Sequence, residues 1–206
     1  ILREPIESSS GQSVVPIPSF EHATFFRSAP DERVLLSLSE LTGNGSVYRD
    51  KILELVRGVR ANSSLVEVEV RDGKGSAASL PVFLDALDAL VLDSEFLLSN
   101  FNPDFTMFVY RDGSRFLPGY VLQLKPGQAW LFARPGVAGL ESSRRIDNLF
   151  LSSPGTTRGP FRDVEISGQP ARRAEFGSGE IVYGLFRDYV VLSTSEEGLK
   201  EAALRL

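Results

Sequence analysis

Few side chains in this chain have the types and spacing that reactive sites need. There is no cysteine, which excludes thiolate nucleophiles, cysteine metal sites and disulfides together. His22 is the only histidine, and one imidazole builds a zinc site only with several carboxylates beside it. Serine hydrolysis needs a nucleophile, a base and a group that orients the base. No serine here stands in a Gly-x-Ser-x-Gly frame, and Ser178, in Gly177-Ser178-Gly179, reads as a hairpin loop. A Ser–Lys pair stays open as chemistry, but no serine is singled out for it. Two carboxylate pairs, Asp85 with Asp88 and Asp93 with Glu95, have the spacing of acid–base or glycosidic groups. Asp85 and Asp88 fall opposite the apolar stripe of their predicted helix, where water holds a carboxylate at its ordinary pKa. A solvated helix face accounts for them. Gly73-Lys74-Gly75-Ser76 has the composition of a phosphate loop in the wrong order, with lysine between the glycines and no helix directly after it.

These residues assign no catalytic, cofactor-binding or metal-binding position, and no cofactor is expected. One concentration of aromatic residues suits recognition instead. Trp130 and Phe132 stand between Pro126 and Pro135, and aromatic anchors of this kind dominate many protein interfaces. Core packing is the competing reading of the pair, since most large aromatics are largely buried. Trp130 and Phe132 are therefore the candidate partner-binding residues.

The elements that must position these groups follow from periodicity. Residues 46–60 carry Tyr48, Ile52, Leu55, Val56 and Val59 at helical spacing, and 80–92 repeat the pattern with Pro81 in the first turn. Residues 65–70 alternate Val66, Val68 and Val70 with Glu67 and Glu69, a strand with one wet face. Segment 105–110 is apolar on both sides, as a central strand is. Asp112-Gly113 turns it back into 117–125. A helical segment is predicted from Pro126, broken at Pro135-Gly136, with another over 144–151. Strands at 162–166, 170–175, 180–186 and 189–192 then form an antiparallel meander. A last helix reaches Leu206, with Thr194 and Glu197 at capping-box spacing. Short strands are also read at 23–27 and 33–38.

Short turns between strands, and helices gathered between runs of strands, predict an α+β fold. The expected form is antiparallel sheet with helices packed on one face. Residues 20–206 would form one compact unit of two lobes, 20–100 and 104–206. Residues 1–19, rich in Ser, Pro and polar side chains, read as a linker-like leader.

The net charge of −5 argues against nucleic acid as a partner, because that affinity needs clustered Lys and Arg. The pairs Arg144-Arg145 and Arg172-Arg173 read as solvated surface. No apolar run reaches the roughly 18 residues needed to cross a bilayer.

The C-terminal half is similar to a known group. Phe161-Arg162-Asp163-Val164-Glu165-Ile166, Pro170-Ala171-Arg172-Arg173-Ala174 and the run from Gly184-Leu185-Phe186-Arg187-Asp188 through Ser195-Glu196-Glu197-Gly198-Leu199-Lys200 carry the likeness. Asn100-Phe101-Asn102-Pro103 agrees with it. Together they resemble uncharacterised membrane-anchored envelope proteins of candidate-phyla bacteria, a domain of unknown function. The resemblance spans about residues 80–206, and its motifs are structural. It implies a membrane anchor upstream of Ile1, an extracytoplasmic location and protein partners in the cell envelope, and it transfers no functional residue. The expectation is a non-enzymatic binding or scaffolding domain. A subunit of a pilus-like or secretion assembly and an envelope hydrolase using carboxylates or a Ser–Lys pair are the alternatives.

Overall fold

The computed structural model describes residues 24–38, 44–62 and 64–206. The leader 1–19 and His22 lie outside the described residues.

The organising element is a twelve-residue strand, β3 (Phe101–Asp112), that is apolar on both faces, as the run 105–110 requires. Gly113, at φ +60°, reverses the chain into β4 (Arg115–Leu124), and the hairpin pairs Met107 with Tyr120 and Phe108 with Gly119. On one side β3 takes up β2 (Leu65–Arg71), which pairs in turn with β1 (Glu32–Ser37). On the other side β4 takes up β8 (Tyr189–Ser193), followed by β7 (Gly179–Phe186), β6 (Gln169–Phe176) and β5 (Arg162–Ile166). The described strands thus form one eight-stranded sheet.

The α+β class holds, with one change to the predicted sheet. β1 and β2 run parallel, so the sheet is mixed. The helix α1 (Gly45–Arg57) separates these two strands in sequence, and a crossover of that length carries the chain back to start in the same direction. The sheet also runs without a break from β2 through β3 into β4, so it takes described strands from either side of residue 100.

Side-chain alternation divides the molecule into two layers. Val66, Val68, Met107, Tyr120, Leu122, Tyr183 and Leu192 share one face. There they meet α1, α2 (Leu80–Ala86), α3 (Ser94–Asn100), α4 (Trp130–Val137) and the 3₁₀ turns Ala138–Ser142 and Ile146–Leu149. This is the helical layer expected on one face. The last helix, α5 (Glu196–Arg205), lies across the opposite face, where Leu199, Ala202 and Leu206 pack on Phe108, Val121, Val182 and Val191. A sheet whose middle strands are apolar on both sides needs that second cover.

Several local readings change for identifiable reasons. Residues 24–27 form no strand; Phe25 N–H donates to Thr106 Oγ1 and Arg27 N–H to Arg205 O, so the segment runs across the α5 face. α2 stops at Ala86 because Asp88 adopts φ +53°, a left-handed conformation that a short polar side chain tolerates. The wet face predicted for β2 is dry. Glu67 and Glu69 are 4% and 3% exposed, held by Arg33 and Arg71 at 2.9 and 2.8 Å.

Candidate functional site

At the end of β4, Lys125 N–H donates to Asn100 O, which joins the start of the next segment to the C-terminus of α3. Lys125 Nζ also reaches Leu98 O at 2.5 Å. Lys125-Pro126-Gly127-Gln128 then turns, closed by Gln128 N–H donating to Lys125 O. Proline presets φ at the second position, and Gly127, at φ +83°, supplies the positive φ that a type II turn needs at the third. The turn delays the helix. α4 starts at Trp130, not at Pro126, and Pro135 lies inside it without breaking it.

The register of α4 decides which of its aromatic residues faces inward. Trp130 is half-buried against the helical-face core, and Ala133 and Val137 are buried beneath it, spaced three and four residues apart along one stripe. Leu131 and Phe132 follow Trp130 by about 100° and 200° of helix rotation and cannot join that stripe. They are 74% and 75% exposed. The two predicted partner-binding residues therefore part company. Trp130 is the root of the feature and Phe132 its tip, and Leu131, which sequence reasoning passed over, is as exposed as Phe132. The missing signal was the helix phase, which the buried stripe Trp130–Ala133–Val137 fixes.

The support beneath the tip is close-packed. A Cβ on Gly136 would stand 2.1 Å from the Phe96 ring, so only glycine lets α4 approach α3 this closely. Phe96 stacks edge-on against Phe101 at 6.1 Å, which ties α3 to the start of β3.

The best-connected polar constellation ties the helical layer to the sheet. Glu141 accepts from Arg172 Nε and Nη2 at 2.9 and 2.8 Å and from the Tyr183 hydroxyl at 2.5 Å. The Arg172 hydrogen bonds, with Tyr183 adding to them, hold the Glu141 carboxyl below its usual range. Burial, and then Glu141 itself, push the Tyr183 hydroxyl upward. A saturated carboxylate and a phenol kept protonated are poor proton shuttles at neutral pH. Arg173 bonds Glu196 at 2.8 Å on the other face, so Arg172 and Arg173 tie the sheet to its two covers and are not solvated surface.

Open grooves flank the sheet. One of about 670 Å³ passes the N-terminus of α5, between Arg115, Arg173, Glu180 and Glu196. Two of the helix amides there are occupied by side chains. Glu196 N–H donates to Glu180 Oε1 at 2.5 Å, and Gly198 N–H donates to Ser195 Oγ at 3.0 Å. A second groove, of about 600 Å³, runs past Asp72, Asp85 and Asp88. Asp72 accepts from Lys74 N–H and Ser76 N–H at 2.8 and 2.9 Å, so the glycine–lysine loop turns its amides onto its own aspartate. Asp85 and Asp88 are exposed, as expected, and Asp93 caps α3 by accepting from Phe96 N–H. The apolar space between the helices and the sheet, near Tyr120 and Leu192, amounts to about 20 Å³, too little for a ligand. No cluster of three metal-ligating side chains occurs among the described residues.

No family model matches this chain, and neither a curated protein nor a solved structure similar to it was found.

Proposed function

We propose that this chain is a non-enzymatic binding or scaffolding domain that docks through the tip of α4, in the extracytoplasmic part of a membrane-anchored bacterial envelope protein. The observation that carries the docking role is the pair Leu131 and Phe132, large apolar side chains about three-quarters exposed on a close-packed support. Water contact at such a pair is unfavourable, and a partner that covers it recovers hydrophobic free energy in proportion to the area removed from water. The resemblance of residues 80–206 to envelope proteins supports the location. The saturated hydrogen bonding of Glu141, Tyr183, Asp72 and Glu196 favours binding over the hydrolase alternative.

Fractionation of cells making the full-length protein tests the location. It should sediment with membranes, and protease added outside the inner membrane should remove this domain. Recovery from the cytosol would contradict the proposal. The non-enzymatic part fails if a broad hydrolase screen finds turnover that Leu131→Ser/Phe132→Ser leaves intact.

A further inference from the structure

The composition of the α4 tip points to the nature of what covers it. Pro126, Gly127, Gln128, Ala129, Leu131 and Phe132 are all exposed, and none carries a charge. The segment from Gly113 through Leu140 contains no Asp or Glu, in a chain with 27 acidic residues and a net charge of −5. Of its three cations, Arg115 starts β4, and Lys125 and Arg134 stand at the two ends of the tip. Arg134 is exposed, and its charge also reaches Glu141, which Arg172 already holds at 2.8 Å. Lys125 lies at the other end, its ammonium on the carbonyl of Leu98, itself 48% exposed. Of the nearby carboxylates, Asp93 is the N-cap of α3, and exposed Glu95 stands one helical turn before Leu98 on the same side of α3.

An uncharged apolar tip with a half-buried tryptophan at its root and cations on either side fits a bilayer interface. Apolar side chains enter the acyl boundary, tryptophan sits at headgroup level, and Lys and Arg stay with the phosphates. The dimensions agree. Two large side chains offer on the order of 300 Å² of apolar surface, whereas a stable protein interface covers roughly 800 Å² on each partner. A bilayer needs no shape complementarity, so a small convex tip suffices. We infer that the α4 tip inserts Leu131 and Phe132 into the surface of an anionic lipid bilayer, with Lys125 and Arg134 facing the phosphates. This rests on the docking role proposed above for the same residues and names what they dock to.

Trp130 is the only tryptophan of the chain and reports directly on its surroundings. The whole chain is mixed with vesicles of phosphatidylcholine alone, or of equimolar phosphatidylcholine and phosphatidylglycerol, each with and without brominated acyl chains. The protein should co-sediment with the anionic vesicles, and the brominated lipid should quench Trp130 emission. Leu131→Ser/Phe132→Ser should weaken partitioning at least about tenfold, through the lost apolar burial. Arg134→Glu should weaken it about fivefold or more on the anionic vesicles only. Leu204→Ser, which removes an apolar side chain 77% exposed on α5, should change nothing. The quenching of the unmodified chain needs no variant, so a misfolded variant cannot hide the answer. The inference is overturned by absence of quenching and sedimentation on both vesicle types, by vesicle binding that survives the double substitution, or by a dimer that the double substitution dissolves without any lipid effect. Membrane fractionation of the full-length protein could still succeed in those cases, so loss of the lipid inference and loss of the envelope proposal are separable.

Discussion

Glu141 shows how a single residue can join two layers. It leaves the 3₁₀ turn after α4 and binds Arg172 of β6 and Tyr183 of β7, which are paired across the sheet. Its depressed carboxyl pKa means the ionised form favours the folded state. That contribution is complete above the unfolded carboxyl pKa of about 4.3 and disappears as pH falls through the lower folded value. Glu141→Gln should cost about 1–2 kcal/mol at neutral pH, and a urea titration series should show the difference from wild type narrowing below about pH 4. A constant difference down to pH 2 would contradict this role. Glycine positions make a second residue-scale prediction. A Cβ on Gly119 would stand 2.1 Å from the Phe108 ring, which lies over it across the β3–β4 hairpin. Gly119→Ala should lower stability by about 1–3 kcal/mol in denaturant unfolding.

Secondary structure was legible in this sequence wherever turn residues bound a short apolar run. Strands at 162–166, 180–186 and 189–192 fall within a residue of β5, β7 and β8, because turn residues such as Ser167-Gly168, Ser178 and Arg187-Asp188 bound each run. Helix ends were harder, because capping is chosen among several hydroxyls within a residue or two. The spacing of Thr194 and Glu197 suggested a capping box, yet the cap is Ser195, whose hydroxyl accepts from Gly198 N–H. Thr194 instead donates to Pro118 O at 3.0 Å, and Glu197 pairs with Lys200 at the surface. Ser195→Ala should therefore cost about 1 kcal/mol, and Glu197→Ala should stay within about 0.5 kcal/mol of wild type. Equal losses in thermal melts would restore the capping box. In α4 the sequence announced the aromatic pair but not its phase. Pro126-Gly127 could open a helix or a turn, and the buried stripe of Trp130, Ala133 and Val137, with Gly136 against Phe96, fixes which side of α4 faces inward.

The whole molecule is organised by a sheet that no single segment announces. β4 and β8 pair although 64 residues lie between Leu124 and Tyr189, and nothing local in either strand names its partner. β2, β3 and β4 are neighbours inside one continuous sheet, so heat should unfold the described body in one transition. Two resolved calorimetric peaks would contradict that account. The same continuity holds α4 on a firm base, with Trp130 on the core and Leu131 and Phe132 outside it. Hydrogen–deuterium exchange of the domain with and without isolated envelope membranes asks most directly whether that tip is where the molecule docks. Membranes should slow exchange across the turn and α4, residues 125–137, and leave the grooves beside α5 and α2 unchanged. Protection centred on either groove, with 125–137 exchanging as before, would contradict it.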